Sequence, residues 1–444
     1  MVTRSTMVNG FDPASVASLP ERTRTQVERR QRLLGPTYRL FYATPVEAVR
    51  AEGVHLYDAD GRAYLDAYNN VPCVGHCHPR VTEAVARQMA VLNTNTRYIQ
   101  DSILAYSERL LATFPGELAN VTYTCTGSEA NDLAMRVARY HTGNDGIIVT
   151  ANAYHGLTAA VTEFSPSLGA GSPLGAHVRA IEAPDELRLP PGQTMADQMR
   201  ARVRAAIDDL ARHGFGLCAF IADSIFSSDG VYAHPAGFLQ PVVEEVRRAG
   251  GLYIADEVQP GFGRNGDGWW GFQRHGIVPD IVTVGKPMGN GIPVAAAIFR
   301  PELLTEFGAS IRYFNTFGGN TVSIAAAQAV LDVIRDENLI ENARTVGAYL
   351  RDGLQSLVAG RDQVAEVRGA GLFIGVEITT TDGTLTPDGP LAARIVNGLR
   401  ERGVLISASG PHGNVLKVRP PLPFSARDAD QLLDELGHVL DNVR

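Results

Sequence analysis

Short apolar runs alternate with amphipathic stretches through the middle of the chain. Between Val121 and about Phe299 the apolar runs have the length and composition of buried strands, and helical patterning separates most of them. Such runs suit strands that are covered on both faces. Strands alternating with helices predict a mostly parallel sheet with helices on both faces, so the expected fold class is α/β. The predicted strands have the sequences VTYTC, GIIVT, LCAFIAD, LYIADE, DIVTVG and VAAAIF.

The N-terminal part has a different pattern. A helix is predicted from Ser18 to a Gly-Pro stop at Gly35. An Asp-Ala-Asp-Gly turn between two alternating segments predicts a β-hairpin over 54–67. Residues 1–17 are predicted not to pack against the rest of the protein. Two more helices are predicted, over 79–89 and 102–113.

The C-terminal part predicts a second, smaller unit. One long helical run extends from Val322 to Leu357, and the strands GLFIGVEI and NVLKVRPPL flank a helix near 390–402. This mixture is typical of an α+β unit. We therefore expect an N-terminal helix and hairpin that form part of the small domain, then a large domain, and then a C-terminal small α+β domain. Their predicted bounds are 1–75, 76–319 and 320–444.

Bulk composition narrows the class of protein. The chain has 444 residues, 45% of them hydrophobic and 20% charged, with a net charge of −8 at pH 7. These values are typical of a soluble globular protein, and they give no support for a nucleic-acid or membrane-surface partner. No segment approaches the roughly 18 apolar residues of a membrane span, and the N-terminus lacks an apolar signal core. We therefore expect a cytoplasmic location.

The cysteines and one histidine pair raise the question of a metal. Four cysteines do not make a disulfide framework, and three of them lie in surroundings that suggest buried thiols. The fourth lies in VGHCHP, where His76, Cys77 and His78 are adjacent. A metal site is one interpretation, but no second ligand pair with zinc-like spacing follows. A tight turn before a helix is the alternative, and we expect no metal.

Two strand ends carry sequences suited to binding a cofactor, because ligands of open α/β sheets lie at the carboxyl ends of the strands. After VTYTC, Thr126, Gly127 and Ser128 lead directly into an amphipathic helix. The free N–H groups and the dipole of a helix start favour phosphate, although a merely capped helix fits the same pattern. In the loop after GIIVT, Tyr154 has the right shape to stack on a flat ring.

Two further strand ends carry charged residues. Asp256 follows the apolar run LYIA, and burying a carboxylate without a partner costs several kcal/mol or more. Lys286 lies just past DIVTVG, where burial would make it a usable amine nucleophile. A surface lysine in a glycine-rich turn is the alternative. A phosphate-binding helix start, a stacking aromatic, a buried Asp and a later Lys, in that order, together indicate a pyridoxal phosphate site.

These motifs resemble a known family. GSEAND, YHG, ADEVQPGFGR, VGKPMGNG, NTFGGN and KVRPPL are similar to motifs of the class III aminotransferases, pyridoxal 5'-phosphate enzymes of fold type I, and the resemblance extends over roughly residues 37–425. The resemblance implies a large, mostly parallel-sheet domain, a smaller α+β domain, and a homodimer with shared sites. It implies that Lys286 binds the cofactor covalently and that Asp256 pairs with the pyridinium nitrogen. It also implies cofactor contacts from Gly127, Ser128, Tyr154, Val258, Gln259 and, in the neighbouring subunit's site, Thr316.

The family alone does not decide the reaction, because its members include aminotransferases, racemases, decarboxylases and lyases. NNVPCVGHCHP, LNTNTRYI and FNTFGGN most resemble the ethanolamine-phosphate phospho-lyases of the family. This implies elimination of phosphate from O-phosphoethanolamine, or a close phosphorylated amino alcohol, giving acetaldehyde, ammonia and phosphate in the case of phosphoethanolamine. A phosphate dianion needs cationic or amide donors. The candidates for binding it are Arg97, Arg419, Asn69 and Asn70.

Two alternative functions stay open. The first is an ω-aminotransferase that uses pyruvate or 2-oxoglutarate, in which the arginine matching Arg419 would bind a carboxylate. Many members carry a Glu where this chain has Asp223, and in aminotransferases that Glu often pairs with a mobile arginine. The shorter side chain weakens the inference to transamination. The second alternative is a ligand-sensing regulator, but the first 40 residues are too short for a DNA-binding module.

Overall fold

The computed structural model describes residues 7–443. In its N-terminal part the predicted helix and hairpin are both present, and one additional strand pairs with the hairpin. The elements are α1 (Glu21–Leu34), β1 (Ala48–Glu52), β2 (His55–Asp58), β3 (Ala63–Asp66), α2 (Pro79–Met89) and α3 (Asp101–Leu111).

The segment before α1 is anchored, so the prediction for residues 1–17 was wrong for its described part, 7–17. Phe11 is buried in a small apolar cluster with Leu19 and with Val27 of α1. Gly10 forms a β-bridge with Phe41. The buried Phe11 side chain and the Gly10 bridge together hold this segment against the rest of the chain. Residues 1–6 lie outside the described residues.

The central part contains the predicted sheet, and all the predicted strands are present. One short edge strand was missed, because VRAI carries no clear pattern. The elements are β4 (Asn120–Thr124), α4 (Gly127–Thr142), β5 (Gly146–Thr150), α5 (Ala159–Thr162), β6 (Val178–Ile181), α6 (Met195–Arg212), β7 (Leu217–Ala222), α7 (Gln240–Arg248), β8 (Leu252–Asp256), β9 (Ile281–Val284), β10 (Ala295–Phe299) and α8 (Pro301–Ser310).

These strands form one seven-stranded sheet in the order β4-β10-β9-β8-β7-β5-β6. β10 is antiparallel to both of its neighbours, and the other pairs are parallel. Both faces are covered: Ile147 and Val149 pack in an apolar cluster with α4, whereas Ile148 faces a second cluster with α6. Burial on both faces explains why these strands are continuous apolar runs. The α/β fold class is confirmed.

The C-terminal part is the predicted α+β unit, with one correction. The single helical run over 322–357 is two helices, because Asn338 adopts a left-handed conformation with φ 53° and breaks the run. The elements are α9 (Thr321–Asp336), α10 (Leu339–Val358), β11 (Val364–Ala370), β12 (Phe373–Ile378), α11 (Gly389–Glu401), β13 (Val404–Leu405), β14 (Ser407–Ser409), β15 (Val415–Val418) and α12 (Ala426–Asn442).

Two four-stranded sheets accompany the central one. The C-terminal sheet is antiparallel, in the order β11-β12-β15-β14. The N-terminal sheet has the order β1-β2-β3-β13, and β13 pairs with β3 in parallel. The N-terminal hairpin therefore shares a sheet with a strand from the C-terminal part. The domain bounds at 75/76 and 319/320 stay a prediction.

The histidines of VGHCHP each face an acid. His76 Nε2 lies 2.8 Å from Asp66 Oδ2, and His78 Nε2 lies 3.1 Å from Glu337 Oε1. Cys77 has a φ of 52°, and α2 begins two residues later, so the segment is the predicted tight turn. Over residues 7–443, no group of three or more His, Cys, Asp or Glu side chains is arranged to hold a metal ion.

Among these same residues, no helix combines the length and the apolar character that crossing a bilayer requires. The cellular location stays a prediction.

Candidate active site

The carboxyl ends of the parallel strands surround a cavity of about 310 Å³. β8 ends at Asp256, Lys286 follows β9, and α4 begins three residues after β4. This is the position expected for a ligand site in an open α/β sheet. The predicted site residues that line the cavity are Gly127, Ser128, Tyr154, Asp256, Val258, Gln259 and Lys286.

Asp256 is buried, and both of its carboxylate oxygens have partners. Oδ2 lies 2.7 Å from Nδ1 of His155 and accepts a 3.0 Å hydrogen bond from Nδ2 of Asn131. Oδ1 accepts a 3.1 Å hydrogen bond from the N–H of Val258. Thr283 in turn donates to Oδ1 of Asn131 at 2.6 Å. Protein groups therefore help to stabilise this carboxylate, in addition to the cofactor ring that the sequence led us to expect.

Lys286 lies among the residues at the end of β9, and its Nζ is 5.9 Å from the centre of the Tyr154 ring. Burial, together with the positive charge of Arg419, lowers the pKa of Lys286 to about 8, although Asp256 opposes this shift. An amine with such a pKa is partly unprotonated near neutral pH. Lys286 can therefore act as a nucleophile and as a base.

The start of α4 is a capped helix that also faces the cavity. The Thr126 hydroxyl oxygen accepts a 3.2 Å hydrogen bond from the backbone N–H of Glu129. In return, the Glu129 carboxylate accepts a 3.0 Å hydrogen bond from the backbone N–H of Thr126. The N–H groups of Gly127 and Ser128 belong to the first turn, where the helix offers them no carbonyl. A Cβ at Gly127 would lie 3.0 Å from the Val258 methyl groups, so only glycine fits without displacement.

Ser128 also fixes the loop that carries Tyr154. Its Oγ accepts a 3.0 Å hydrogen bond from the N–H of Leu157. Gly156 has a φ of 141°, and a Cβ there would lie 2.4 Å from the Ser128 Oγ. The close approach therefore requires glycine at this position. It holds the Tyr154 loop against the helix start.

Gln259 joins the cavity to two buried cations of the C-terminal sheet. Its side-chain Oε1 accepts hydrogen bonds from Nζ of Lys417, at 3.3 Å, and from Nη1 of Arg419. Lys417 also donates to the carbonyl of Ser227 at 2.9 Å, and Arg419 donates to the carbonyl of Tyr68 at 3.1 Å. Lys and Arg have only donors, so the atom that faces them must be the amide oxygen. The Gln259 amide nitrogen is thereby left for a ligand.

The two asparagines that were expected to bind phosphate lie beside the cavity and do not line it. Asn69 Oδ1 accepts a 3.1 Å hydrogen bond from the N–H of Val71, which does line the cavity. Asn70 Nδ2 donates to the backbone carbonyl of Gln259 at 3.3 Å, and its buried Oδ1 has no partner among the described residues. In this state the two side chains shape the loop after β3.

Arg97 and Thr316, both described, are exposed and do not line this cavity. The Arg97 guanidinium carbon is 3.7 Å from the centre of the Phe314 ring. The neighbouring large apolar side chains Tyr98, Ile99 and Phe317 are exposed as well, Ile99 by 98%. An exposed apolar patch of this kind is typical of an interaction surface.

Asp223 lines the cavity but is satisfied by its own loop. Its Oδ1 accepts a 2.9 Å hydrogen bond from the N–H of Ile225, and its Oδ2 bonds the hydroxyl of Ser227. Burial raises the pKa of Asp223. Arg419 meanwhile bonds the neutral oxygens of Gln259 and Tyr68. The two residues therefore do not form an Asp–Arg ion pair in this state.

Comparison with known proteins identifies the family. A family model described as aminotransferase class-III matches residues 41–440. The chain belongs to the class III aminotransferase family. It is 37% identical to ethanolamine-phosphate phospho-lyase homolog 1 of Caenorhabditis elegans, over 98% of this chain and 99% of the relative. It is 39% identical to a Drosophila melanogaster protein named alanine–glyoxylate aminotransferase 2-like, over 92% of this chain and 85% of that relative.

Solved structures give the same result for the fold. A phospholyase from Arthrobacter in complex with phosphoethanolamine matches with a TM-score of 0.92 and 45% identity, covering 94% of this chain and all of that one. An aminotransferase from Bacillus anthracis matches with a TM-score of 0.86 and 25% identity, covering 95% and 99% of the two chains. This class III enzyme therefore has the fold type I architecture.

The cofactor of this class III enzyme is pyridoxal 5'-phosphate, and the cavity has groups that fit it. Lys286 supplies an amine for its aldehyde, and Asp256 supplies a carboxylate for its ring nitrogen. The start of α4 offers free N–H groups to its phosphate, and Tyr154 offers a flat aromatic surface. The assignment of these individual residues stays a prediction.

Two residues of the site were missed in the sequence. Asn131 lies on the buried face of α4, and a buried polar residue on an apolar helix face is a signal that it bonds a polar partner. Lys417 lies in KVRPPL, two residues before the predicted site residue Arg419. The composition could have indicated it, because Lys417 and Lys286 are the only lysines in the chain.

Proposed function

We propose that this class III enzyme is a phospho-lyase that eliminates phosphate from O-phosphoethanolamine or a close phosphorylated amino alcohol. With phosphoethanolamine the products would be acetaldehyde, ammonia and phosphate. The observation that carries the proposal is the 45% identity, over 94% of the chain, to an Arthrobacter phospholyase in complex with phosphoethanolamine. The buried cations beside the cavity support it, because a phosphate dianion needs charged donors.

The chain's own residues would act as follows. Bound pyridoxal 5'-phosphate supplies an electron sink for the substrate carbon that bears nitrogen. The Lys286 amine, with its pKa lowered to about 8 by burial, removes a proton from that carbon. Asp256, held by His155 and Asn131, stabilises positive charge on the ring nitrogen.

The C–O bond to phosphate then breaks, and phosphate leaves with the bonding electron pair. The remaining unsaturated amine takes up water and yields acetaldehyde and ammonia. The electron pair left by proton removal becomes the new C=C bond, the C–O bonding pair departs with phosphate, and no amino acceptor is consumed. This difference separates the proposal from transamination, in which the amino group passes to a keto acid.

Substrate and cofactor contacts would come from two subunits. Arg419, with Asn69 and Asn70 beside it, lies next to the cavity of its own chain. Arg97 and Thr316 lie on an exposed surface with apolar neighbours. We propose that this surface forms a homodimer in which Arg97 and Thr316 complete the neighbouring subunit's site.

A second candidate function is favoured by a specific observation. The chain is 39% identical to a relative named alanine–glyoxylate aminotransferase 2-like. Arg419, the arginine that binds carboxylate in related aminotransferases, is present and buried. The alternative is therefore a class III ω-aminotransferase that uses pyruvate or 2-oxoglutarate as amino acceptor.

One assay separates the two functions. The purified holoenzyme is incubated with phosphoethanolamine and no keto acid, and inorganic phosphate and acetaldehyde are measured. We expect both products in equal amounts. Amine transfer that requires a keto acid, with no phosphate released, would refute the phospho-lyase. Lys286→Ala is the control, and it should remove both the activity and the visible absorbance of the bound cofactor.

The homodimer has its own test, which uses mixed subunits. Arg97→Met and Lys286→Ala proteins should each have low activity alone. In mixed dimers, one site combines Lys286 from one subunit with Arg97 from the other, so remixing should restore roughly a quarter of the wild-type activity. A mixture no more active than its components would refute a shared site.

A further inference from the structure

Nearly all the basic side chains of this chain, histidine aside, are arginines and not lysines. Lysine and arginine together number 40, and only Lys286 and Lys417 are lysines. The first lies in the cavity, and the second lies in β15, behind Gln259. Lysine differs from arginine in having a compact ammonium whose pKa shifts readily on burial. A chain that otherwise uses arginine has therefore kept both of its lysines at one site.

Lys417 and Arg419 are buried, with 6% and 5% of their surfaces exposed. The acceptors of their hydrogen bonds are neutral oxygens, namely two backbone carbonyls and the Gln259 amide. No carboxylate among residues 7–443 lies within ion-pair distance of either. Arg368 of the same sheet makes the contrast clear: it is also 6% exposed, but it pairs with Glu366 at 2.7 Å and with Glu377 at 2.5 Å.

A buried cation without an acid is costly, and two adjacent ones are more so. Burial, with the positive charge of Arg419 beside it, holds the pKa of Lys417 well below its ordinary value, although Asp223 and Asp229, both beyond ion-pair distance, oppose this shift. The Gln259 oxygen is shared between both cations and carries only a partial charge. The arrangement has the properties of an anion site whose anion has been replaced by a neutral acceptor.

We propose that Lys417 and Arg419 form the subsite for the doubly charged phosphate group of the substrate, with Gln259 as the stand-in acceptor when that group is absent. The identity of the anion rests on the proposed function. A phosphate that displaces the Gln259 oxygen would contact both cations, and its two charges would compensate both. A carboxylate would compensate only one. Lys417 is then a residue that determines specificity for phosphate over carboxylate.

The two-lysine composition makes a direct test possible. Holoenzyme labelled with ¹³C at the lysine ε-carbon has two side-chain signals, and Lys286→Ala leaves one, which assigns Lys417. Inorganic phosphate and acetate are then titrated into the wild-type holoenzyme. We expect phosphate to shift the Lys417 signal in a saturable manner and acetate to leave it in place. A Lys417 signal that ignores phosphate, or follows acetate equally, would overturn the proposal.

Variants provide a second measurement. Lys417→Met should weaken phosphate binding by about tenfold or more, because a charged donor is lost, whereas Lys417→Arg should lose less. Arg212→Met is the matched control: it removes the same charge from an exposed position at the end of α6, where Arg212 pairs with Asp209. Phosphate affinity in Lys417→Met within about twofold of the wild type would also overturn the proposal.

The turnover assay tests the phospho-lyase activity, and the phosphate titration tests the subsite, so each hypothesis can be refuted without the other. If the wild type releases no phosphate from phosphoethanolamine or from a close phosphorylated amino alcohol, the phospho-lyase is refuted, whatever the titration shows. If it releases phosphate but the Lys417 signal ignores phosphate, the reaction stands and the subsite lies elsewhere. If Lys417→Met does not fold, the titration of the wild type still decides the proposal.

Discussion

Two regions meet at the cavity, and they differ in the partners of their buried charged side chains. At the end of β8, Asp256 is satisfied within the protein by His155, Asn131 and a backbone N–H. At β15, Lys417 and Arg419 have only neutral oxygens as partners. The first region is preorganised, because its partners are fixed before any ligand binds. The second is incomplete, because among residues 7–443 no carboxylate lies within ion-pair distance of either cation, and Asp223 acts on both only from farther away.

This difference suggests a division of labour. A preorganised region suits a resident cofactor, whose position and electronics must not vary between turnovers. An incomplete region suits a substrate. Its buried cations carry a desolvation penalty that no paired acid offsets, and an anionic substrate group would offset that penalty when it binds. Variants in the first region should therefore change kcat for every substrate, and variants in the second should change KM for anionic substrates.

The largest effect is expected for Asp256→Asn. Losing this charge should lower kcat by about 10²- to 10³-fold with any substrate, and leave KM nearly unchanged. Asp280→Asn is the matched control, because Asp280 is also buried but accepts hydrogen bonds from Tyr253 and Arg247 at the opposite end of the same strands. Asp280→Asn should reduce stability and spare kcat. Equal losses of kcat in both variants would contradict the distinction.

Arg419→Met should have the next largest effect, and mainly on binding. Removing a guanidinium that contacts an anion costs roughly 2 kcal/mol, so KM for phosphoethanolamine should rise about thirtyfold. The absorbance of the bound cofactor should be unchanged. Steady-state kinetics separate the two parameters, and a variant that lost kcat at constant KM would place Arg419 in the preorganised region instead.

The pKa of Lys286 predicts a tenfold effect of pH. Because burial lowers this pKa to about 8, the free amine in the apoprotein increases about tenfold between pH 7 and pH 9 and then levels off. The rate at which apoprotein takes up cofactor, followed by visible absorbance, should rise in the same way. A rate still rising from pH 9 to pH 10.5 would show a lysine with an ordinary pKa.

The smallest effect is expected for Thr283→Val. Thr283 is paired with Asp256 across β8 and β9, but its hydroxyl supports the carboxylate through Asn131, to whose Oδ1 it donates at 2.6 Å. Losing one neutral hydrogen bond costs about 1 kcal/mol, so kcat should fall about fivefold or less. Circular dichroism should show intact secondary structure. A fall in kcat as large as that of Asp256→Asn would mean that the hydrogen bond from Asn131 to Asp256 matters as much as the negative charge of Asp256.

Each region was predicted from sequence only in part: Asp256 was expected in the first and Arg419 in the second, whereas Asn131 and Lys417 were missed. Asp256 and Lys286 follow apolar strands, and the rule that ligands bind at strand ends is enough to bring them together. Lys417 and Arg419 come from an antiparallel sheet far along the chain. Only the tertiary structure shows that Gln259 joins them to the cavity.

The fold shows the same contrast between strong and weak local signals. The buried strands of the central sheet were predicted because both of their faces are apolar. β6 was missed because four residues carry too little pattern. The break between α9 and α10 was missed because Asn338 and its neighbours are compatible with a helix, and only the positive φ of Asn338 ends it.

The scarcity of lysine also has a consequence for handling the protein. Pyridoxal 5'-phosphate is a reactive aldehyde that modifies exposed lysines of many proteins. Here Lys286 lies in the cavity and Lys417 is buried, so no lysine side chain is exposed on the surface. Excess cofactor should therefore load one equivalent per chain without labelling other lysines, and amine-directed reagents should leave the lysine side chains of the folded protein unmodified.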